Sequence, residues 1–331
     1  MNLKNLIKNK ISNFINEKPL KYISKLTTHE KILLNCYKEF LFENDLYQLF
    51  RELSKNLDKQ SVNTITTIFS RIQKAMSGNK KFLLTKEDVE QITQRNFITK
   101  NIVKLDDNIY TNGFYYLPIN HFLSTVFVDN YFIEEIEYPE KLKEKAIVDV
   151  GAYIGDSALL FSKLTNNKVY SFEPVTEIYE KMLQTIELNE CKNIIPVKLG
   201  LGSQTKQTKI NVFGKTRIGC STLEYCKNNK DCIQEKINII TLDDYVKESN
   251  LNVGLIKVDI EGMEKDFLKG AENTIKTQKP VLMLSIYHTA EDFFTIKPMI
   301  ESWDLGYKFK IRKATKSSIL DDTILIAECY E

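Results

Sequence analysis

A group of glycine, carboxylate and hydroxyl residues lies within the stretch AIVDVGAYIGDS. Asp149 comes late in a run of buried-type residues, and Gly151, Gly155, Asp156 and Ser157 follow it in this order. Glycine lets a backbone turn sharply and approach a ligand without a Cβ in the way, while Asp and Ser cap the start of a helix or face a pocket. The stretch therefore predicts a ligand-binding turn between a strand and a helix.

One further acid is placed to bind a ribose. Glu173, in the run VYSFEP, follows Gly151 by roughly 20 residues, the spacing at which a carboxylate accepts hydrogen bonds from ribose hydroxyls. A pyrophosphate favours a Gly-x-Gly-x-x-Gly turn, whereas this chain has Gly-x-x-x-Gly flanked by Asp149 and Asp156. Two acids repel phosphate and attract a cation. The pattern therefore favours S-adenosylmethionine over NAD as the cofactor.

A second acidic group lies in the run LIKVDIEGMEKDF. Asp259 ends a predicted strand, and Glu261 and Glu264 fall in the next turn. Three carboxylates so close are expected to take a proton from an acceptor or to bind Mg²⁺, which prefers oxygen ligands. Acids are also favoured at a helix start without catalysis, which is the better interpretation of Glu264. Lys257 alternates to the strand face of Asp259 and is expected to pair with an acid there.

Two histidines are considered as bases. His288 follows the strand-like run VLMLSIY, at the predicted mouth of the ligand-binding cleft formed by the strand ends. Imidazole is a suitable general base near neutral pH. A structural role at the start of the next helix, which Thr289 is expected to cap, fits it as well. His121, in LPINHF, is expected to be structural.

The elements that must position these residues alternate between strand and helix from Ala146 onward. Short apolar runs typical of buried parallel strands are separated by helical segments, and the runs YKFKIR and DTILIAECY end the chain. This alternation predicts an α/β fold with a doubly wound sheet. Ligands bind such sheets beyond the carboxyl ends of the strands, where the glycine turn and the acids fall.

The chain before Ala146 follows another pattern. Apolar stripes that begin at Leu3 and Ile65 have helical spacing, and Thr85 with Asp88 forms a predicted capping box. The aromatic-rich stretch that follows is expected to form short strands and turns that pack on the catalytic domain. The predicted division is a helical region (1–100), a connecting segment (101–145) and a catalytic domain (146–331).

Composition narrows the classes of function. The 331 residues carry 46 basic and 44 acidic side chains, a net charge of +2 that gives no argument for a nucleic-acid partner. Six scattered cysteines predict neither a disulfide framework nor a zinc site. No apolar run is long enough for a transmembrane segment, and no secretory signal is evident. A cytoplasmic protein is expected, with the helical region as the surface for any homo-oligomer.

The C-terminal half resembles a known family. From about Asp149 to Glu328 the chain is similar to the FkbM-type S-adenosylmethionine-dependent methyltransferases, through DVGAYIGDSALLF, VYSFEP, TLDDY and LIKVDIEGMEKDFLKGAENTI in this order. The last segment, close to the family's Ile-Lys-x-Asp-x-Glu-Gly-x-Glu, is the most specific. The resemblance does not explain residues 1–100.

The resemblance implies a Rossmann-like sheet of seven strands, the last antiparallel, and methyl transfer to a hydroxyl of a sugar or polysaccharide-type acceptor. Substrate recognition is expected within residues 214–236. The implied cofactor-binding residues are Asp149, Gly151, Ala152, Tyr153, Gly155, Asp156, Ser157, Glu173, Pro174, Leu201 and Gly202. The predicted catalytic residues are Asp259, Glu261 and His288.

Two other functions stay open at this point. A nicotinamide-dependent oxidoreductase on a similar sheet would need a third glycine after Gly155, where Asp156, Ser157 and Ala158 stand. A catalytically inactive cofactor-binding protein could instead work in assembly through its helical N-terminal region. The intact turn, Glu173 and Asp259 argue against such a loss of activity.

Overall fold

The computed structural model describes residues 23–79, 81–213, 219–221 and 233–330. The apolar stripe that begins at Leu3 lies outside these residues, and so does most of the predicted recognition stretch 214–236. None of the helices in the described ranges has the length and apolar character needed to cross a membrane.

The described residues of the N-terminal part form four helices and one short strand pair. In chain order the elements are β1 (Ile23–Lys25), α1 (Thr28–Glu43), α2 (Leu46–Ser54), α3 (Lys59–Met76), β2 (Lys81–Leu83) and α4 (Lys86–Lys100). Side-chain caps fix the helix starts: the Asp58 carboxylate accepts the Ser61 amide at the start of α3. The capping box predicted at Thr85 and Asp88 is confirmed, since each side chain accepts the other residue's amide.

The segment that follows contains a small antiparallel sheet and three short helices. Its elements are β3 (Val103–Asp106), β4 (Ile109–Thr111), β5 (Tyr116–Leu117), α5 (Ser124–Phe127) and two 3₁₀-helices at Asn130–Glu135 and Pro139–Leu142. Phe122, Val126 and Tyr131 pack in one apolar cluster with Ile147 and Phe161 of the large sheet and its first helix. The segment therefore covers one face of that sheet.

Strands and helices alternate over most of the described chain from Ala146, as predicted, but five strands follow one another between Ile194 and Ile240. The elements are β6 (Ala146–Val150), α6 (Asp156–Phe161), β7 (Val169–Phe172), α7 (Thr176–Leu188), β8 (Ile194–Val197), β9 (Gly200–Leu201), β10 (Lys206–Phe213), β11 (Gly219–Ser221), β12 (Ile233–Ile240), α8 (Leu242–Ser249), β13 (Val253–Val258), α9 (Glu264–Gly270), α10 (Glu272–Gln278), β14 (Val281–Ser285), α11 (Ala290–Glu301), β15 (Tyr307–Lys313) and β16 (Thr323–Cys329).

Seven of these strands form the central sheet, in the order β15-β16-β14-β13-β6-β7-β8. The pairings of β6, β7, β8, β13 and β14 with one another are parallel, while β16 is antiparallel to both β14 and β15. The predicted seven-stranded Rossmann-like fold with an antiparallel last strand is confirmed. A smaller sheet has the strand order β11-β10-β12-β9. Its strands come from the part of the chain between β8 and α8.

The alternation of strands and helices predicts one helix over the run MEKDFLKGAENTI, and this prediction is wrong. The run MEKDFLKGAENTI forms two helices, α9 and α10, that are divided at Ala271. The break follows Gly270, whose backbone lies so close to Gly202 that a Cβ would stand 2.0 Å from the Gly202 carbonyl oxygen. Because glycine favours a helix poorly and tolerates this contact, the helix is interrupted there.

The N-terminal helices share a hydrophobic core with the sheet. Apolar side chains of α1, α2 and α3 belong to the same buried cluster as those of α11, β13 and β15. The ring of Tyr37 lies 6.2 Å from that of Phe293 in α11. Strand β15 is the sheet edge, and Ser61 of α3 accepts hydrogen bonds from the Ile311 amide at 2.7 Å and from Arg312 at 2.9 Å. Helix α3 thus satisfies polar groups that an open edge would expose.

We expect Ser61→Ala to lower the free energy of unfolding by about 1–3 kcal/mol, because the Ile311 amide would stay buried without an acceptor. Urea unfolding followed by circular dichroism measures the change. Thr66→Ala on the exposed side of α3 is the control, with an expected change within about 0.5 kcal/mol. Unchanged stability of Ser61→Ala would show that this contact does not hold α3 on the sheet.

Candidate active site

A cavity of about 300 Å³ lies at the carboxyl ends of the central strands, where the sequence predicted a ligand. Seven predicted site residues line it: Gly151, Tyr153, Glu173, Pro174, Leu201, Asp259 and Glu261. The other seven lie behind its wall: Asp149, Ala152, Gly155, Asp156, Ser157, Gly202 and His288. The glycine turn, the proposed ribose acid and the Asp259 loop therefore meet at one cavity.

The glycine turn is shaped by contact between two strand ends. Gly151 has a φ of +72°, and a Cβ on it would stand 1.9 Å from the carbonyl oxygen of Asp259. The Asp259 amide donates to the Val150 carbonyl at 3.1 Å. Only glycine permits this approach, so Gly151 fixes the turn against the loop that carries Asp259. Gly155 has a φ of +84° and precedes α6 directly.

A buried ion pair supports the turn from behind. Asp149 is inaccessible to solvent, and its carboxylate lies 3.0 Å from Lys257 Nζ and accepts the Ser157 hydroxyl at 2.8 Å. Lys257 also donates to the Gly151 carbonyl at 2.8 Å. The pairing expected for Lys257 is confirmed. Asp149 does not line the cavity, and Lys257 balances its charge. The expectation that Asp149 attracts a cationic ligand is therefore wrong.

The start of α6 is buried as well. Asp156 is 2% exposed, and burial raises the pKa of its carboxyl to about 7, although Lys257 and the Ser157 amide act in the opposite direction. Ala152 is fully buried. These residues shape the turn but do not contact the cavity.

The opposite end of the cavity combines a carboxyl group with an apolar slot. Glu173 is 7% exposed and accepts the Val175 amide at 2.9 Å. Burial raises the pKa of Glu173 to about 8, against smaller lowering effects of that amide and of Lys257. The slot beside it is lined by Phe172, Leu199, Leu201, Ile210, Ile237 and Ile239. The combination suits a nucleoside, with polar ribose edges and a flat base.

Asp259 lies beside a row of side chains that consists of carboxylates and one imidazole. Glu264 is fully buried and accepts the Ile260 amide at 2.8 Å and the Gly262 amide at 3.0 Å. The same carboxylate lies 2.9 Å from His288 Nδ1. On the other side of the ring, His288 Nε2 lies 3.4 Å from Asp259 Oδ1. The imidazole therefore stands between two carboxylates at the cavity wall.

The surroundings raise the pKa values of both Asp259 and His288. Burial raises the pKa of Asp259 to about 6, although the nearby His288 and Lys257 lower it. Burial alone would lower the pKa of His288, but the contact with Glu264 and the charges of Glu261 and Asp259 raise it well above its usual value. A positive charge is thus favoured at the ring position.

A comparison with known proteins identifies one domain of the chain. The model of the methyltransferase FkbM domain matches residues 149–309. The chain carries an FkbM methyltransferase domain.

Two relatives support this assignment. Methyltransferase 1 of Beauveria bassiana (strain ARSEF 2860) is 23% identical over 216 residues, which cover 60% of this chain and 85% of that protein. The crystal structure of methyltransferase FkbM from Methylobacillus flagellatus KT matches with a TM-score of 0.54 and 19% identity, over 85% of this chain and 58% of that chain. The structural likeness shows the fold alone, and this chain spans little more than half of that solved protein. Neither relative supports an oxidoreductase or an inactive assembly protein.

Two features of the FkbM domain's cavity were missed in the sequence. Glu264 was interpreted as a helix-start acid, and α9 does begin there, but its side chain turns back onto His288. The positions of both residues after adjacent strands could have indicated this contact. Tyr131 also lines the cavity, with its hydroxyl 3.5 Å from Ser285 Oγ. It comes from a run of left-handed backbone at 130–132, which nothing in the sequence pattern signals.

We expect Lys257→Met to lower the free energy of unfolding by about 3–5 kcal/mol, because it leaves the Asp149 charge buried without a partner. Chemical denaturation measures the change. The double variant Lys257→Met with Asp149→Asn removes both charges and should recover part of the loss. A Lys257→Met protein as stable as the unmodified one would contradict the pairing.

Proposed function

We propose that this methyltransferase transfers the methyl group of S-adenosylmethionine to a hydroxyl oxygen of a carbohydrate-type acceptor. The observation that carries the proposal is that Glu173 and Asp259 line one cavity, with the Gly151 turn between the strands that bear them. This arrangement offers a ribose site at one end and a proton acceptor at the other. The FkbM domain supplies the reaction class.

The size and the lining of the cavity support the proposed cofactor. Its volume lies at the lower end of the range for small-molecule sites. We assign the ribose hydroxyls to Glu173, the adenine to the apolar slot that includes Leu201, and the methionine end to the turn at Gly151 and Tyr153. When bound, S-adenosylmethionine supplies a methyl carbon that its sulfonium already activates.

The acceptor end of the cavity is rich in hydroxyl and carboxyl groups. Thr125, Tyr131, Ser285 and Asp322 line it together with Asp259. Such groups exchange hydrogen bonds with the hydroxyls of a sugar. Among the described lining residues there is no lysine or arginine to pair with a phosphate. These features support a neutral polyol as the acceptor.

The residues around Asp259 would hold the hydroxyl and take its proton. Alignment of the oxygen with the methyl carbon is the main requirement, since bringing reactants into line supplies much of the rate. The O–C bond forms as the C–S bond breaks, and the hydroxyl proton passes to Asp259. The imidazole of His288 lies 3.4 Å from this carboxylate and is held by Glu264 from its other side. The Mg²⁺ expected from three carboxylates stays a prediction, and Glu264 already accepts two backbone amides.

We expect the affinity for S-adenosylhomocysteine to rise with pH up to about 8 and then to level off. Two ribose hydroxyls need the ionised Glu173 carboxylate, whereas burial raises its pKa to about 8 in the free protein. Below that pH binding must release a proton, so the affinity should change up to about tenfold per pH unit. Titration calorimetry between pH 6 and pH 9 measures the affinity for S-adenosylhomocysteine. The variant Glu173→Gln should bind it more weakly, with an affinity that does not change with pH. A flat profile in the unmodified protein would refute the ribose assignment.

We expect Asp259→Asn to bind S-adenosylhomocysteine as the unmodified protein does and to lose at least about 100-fold in turnover, because the hydroxyl proton loses its acceptor. Labelled S-adenosylmethionine with a panel of neutral glycans and nucleotide sugars identifies the acceptor and measures the rate. Glu291→Gln, an exposed acid that pairs with Lys265, is the control. Absence of S-adenosylhomocysteine binding in the unmodified protein would refute the proposed function.

A further inference from the structure

One ring nitrogen of His288 is buried without a hydrogen-bond partner. His288 is 5% exposed, and its Nε2 makes no hydrogen bond with any described residue. It points between two carboxylates, with Asp259 Oδ1 at 3.4 Å and Glu261 Oε2 at 3.7 Å. Because buried polar atoms normally have partners, a further group belongs between these three atoms.

The distances from His288 Nε2 to the two carboxylates are close to those between ligands of one ion. Both distances exceed the limit of about 3.2 Å for an ordinary N–H···O hydrogen bond. Two atoms that each lie about 2.1 Å from a tetrahedral ion stand about 3.4 Å apart. His288 Nε2 and Asp259 Oδ1 have this separation. Glu261 Oε2 needs a shift of a few tenths of an ångström, which its half-exposed side chain permits.

The other side of the ring is arranged as it is behind many metal-binding histidines. Glu264 Oε1 lies 2.9 Å from Nδ1, so it can accept the Nδ1 proton, and an ion that displaces the Nε2 proton would find the Nε2 lone pair beside Asp259 and Glu261. Metal-binding imidazoles commonly donate their second N–H to a carboxylate in this way. Glu264 is itself fixed by the amides of Ile260 and Gly262. The tautomer and the ring orientation are therefore set by the protein.

We propose that His288 Nε2, Asp259 and Glu261 bind one divalent transition-metal ion at the cavity wall, with Glu264 as the positioning residue. One imidazole and two carboxylates suit Zn²⁺, Mn²⁺ or Co²⁺, whereas Mg²⁺ prefers oxygen ligands alone. Asp259 and Glu261 line the cavity. On the proposed function, an ion held there would polarise the acceptor hydroxyl and lower its pKa, and the second oxygen of Asp259 would take the proton.

Binding of Co²⁺ and Mn²⁺ to the full chain, freed of metal with a chelator, tests the proposal. We expect one equivalent of Co²⁺ to give a visible absorption band and one equivalent of Mn²⁺ to bind by electron paramagnetic resonance. Asp259→Asn and His288→Asn should each weaken binding by at least about tenfold. Glu291→Gln removes a nearby exposed carboxylate outside the cavity and should leave the affinity unchanged.

Glu264→Gln separates positioning from ligation. We expect it to weaken the metal affinity about 10–100-fold and to shift the Co²⁺ band, because the ring loses its anionic acceptor. A purely structural role would lower the melting temperature and leave the band as it is. Glu261→Gln decides the question if the buried variants fold poorly, since its side chain is half-exposed.

Binding of S-adenosylhomocysteine, measured in the same samples, separates this inference from the proposed function. A protein that binds the nucleoside but no Co²⁺ or Mn²⁺ overturns the metal site alone and assigns a proton to the space between His288 and Asp259. Equal metal affinity in the unmodified protein and Asp259→Asn overturns it as well. A protein that binds metal but no nucleoside refutes the proposed function and leaves the metal site standing.

Discussion

The contact between the ends of β6 and β13 is the constraint on which the site depends. Gly151 lies against the carbonyl of Asp259, and the Lys257 ammonium joins Asp149 to the Gly151 carbonyl. The ligand turn and the acidic loop are therefore positioned by the same contact and cannot shift independently. A buried ion pair offers little net stability against an apolar pair, but here it fixes the backbone that forms the cavity wall.

The remaining structure holds this contact in place from both faces of the sheet. Helices α1, α2 and α3 share the core of one face, and Tyr131 and its neighbours cover the other. Tyr131 enters the cavity on a left-handed backbone, which costs energy for a residue with a Cβ. Such strain persists only where packing determines it. The segments before Ala146 thus belong to the architecture of the site, although the domain boundaries at 100 and 145 stay predictions.

The sequence predicted the fold better than the contacts within the site. Short apolar strands and the turn at Gly151 are local patterns. The carboxyl ends of parallel strands lie at one edge of the sheet, so the backbone alone brings Glu173 and Asp259 together. Burial is not local. The turn sequence suggested that Asp149 faces the ligand, but the residue that balances it, Lys257, lies on another strand. The interaction of Glu264 with His288 likewise depends on a backward turn of the Glu264 side chain that periodicity does not encode.

The acids of the cavity differ because their surroundings differ. Glu173 sits among apolar groups, so burial raises its pKa and an incoming ligand must compensate for its charge. Asp259 and Glu261 instead face a buried imidazole and one another. Repulsion between neighbouring carboxylates is relieved by a proton on Asp259 or by a positive charge beside them, such as a proton on His288 or a metal ion. The two groups of acids therefore favour different ligands. Glu173 favours hydroxyl donors, and Asp259 favours a cation beside it. On the proposed function, the Glu173 end of the cavity holds the ribose and the Asp259 end holds the acceptor hydroxyl.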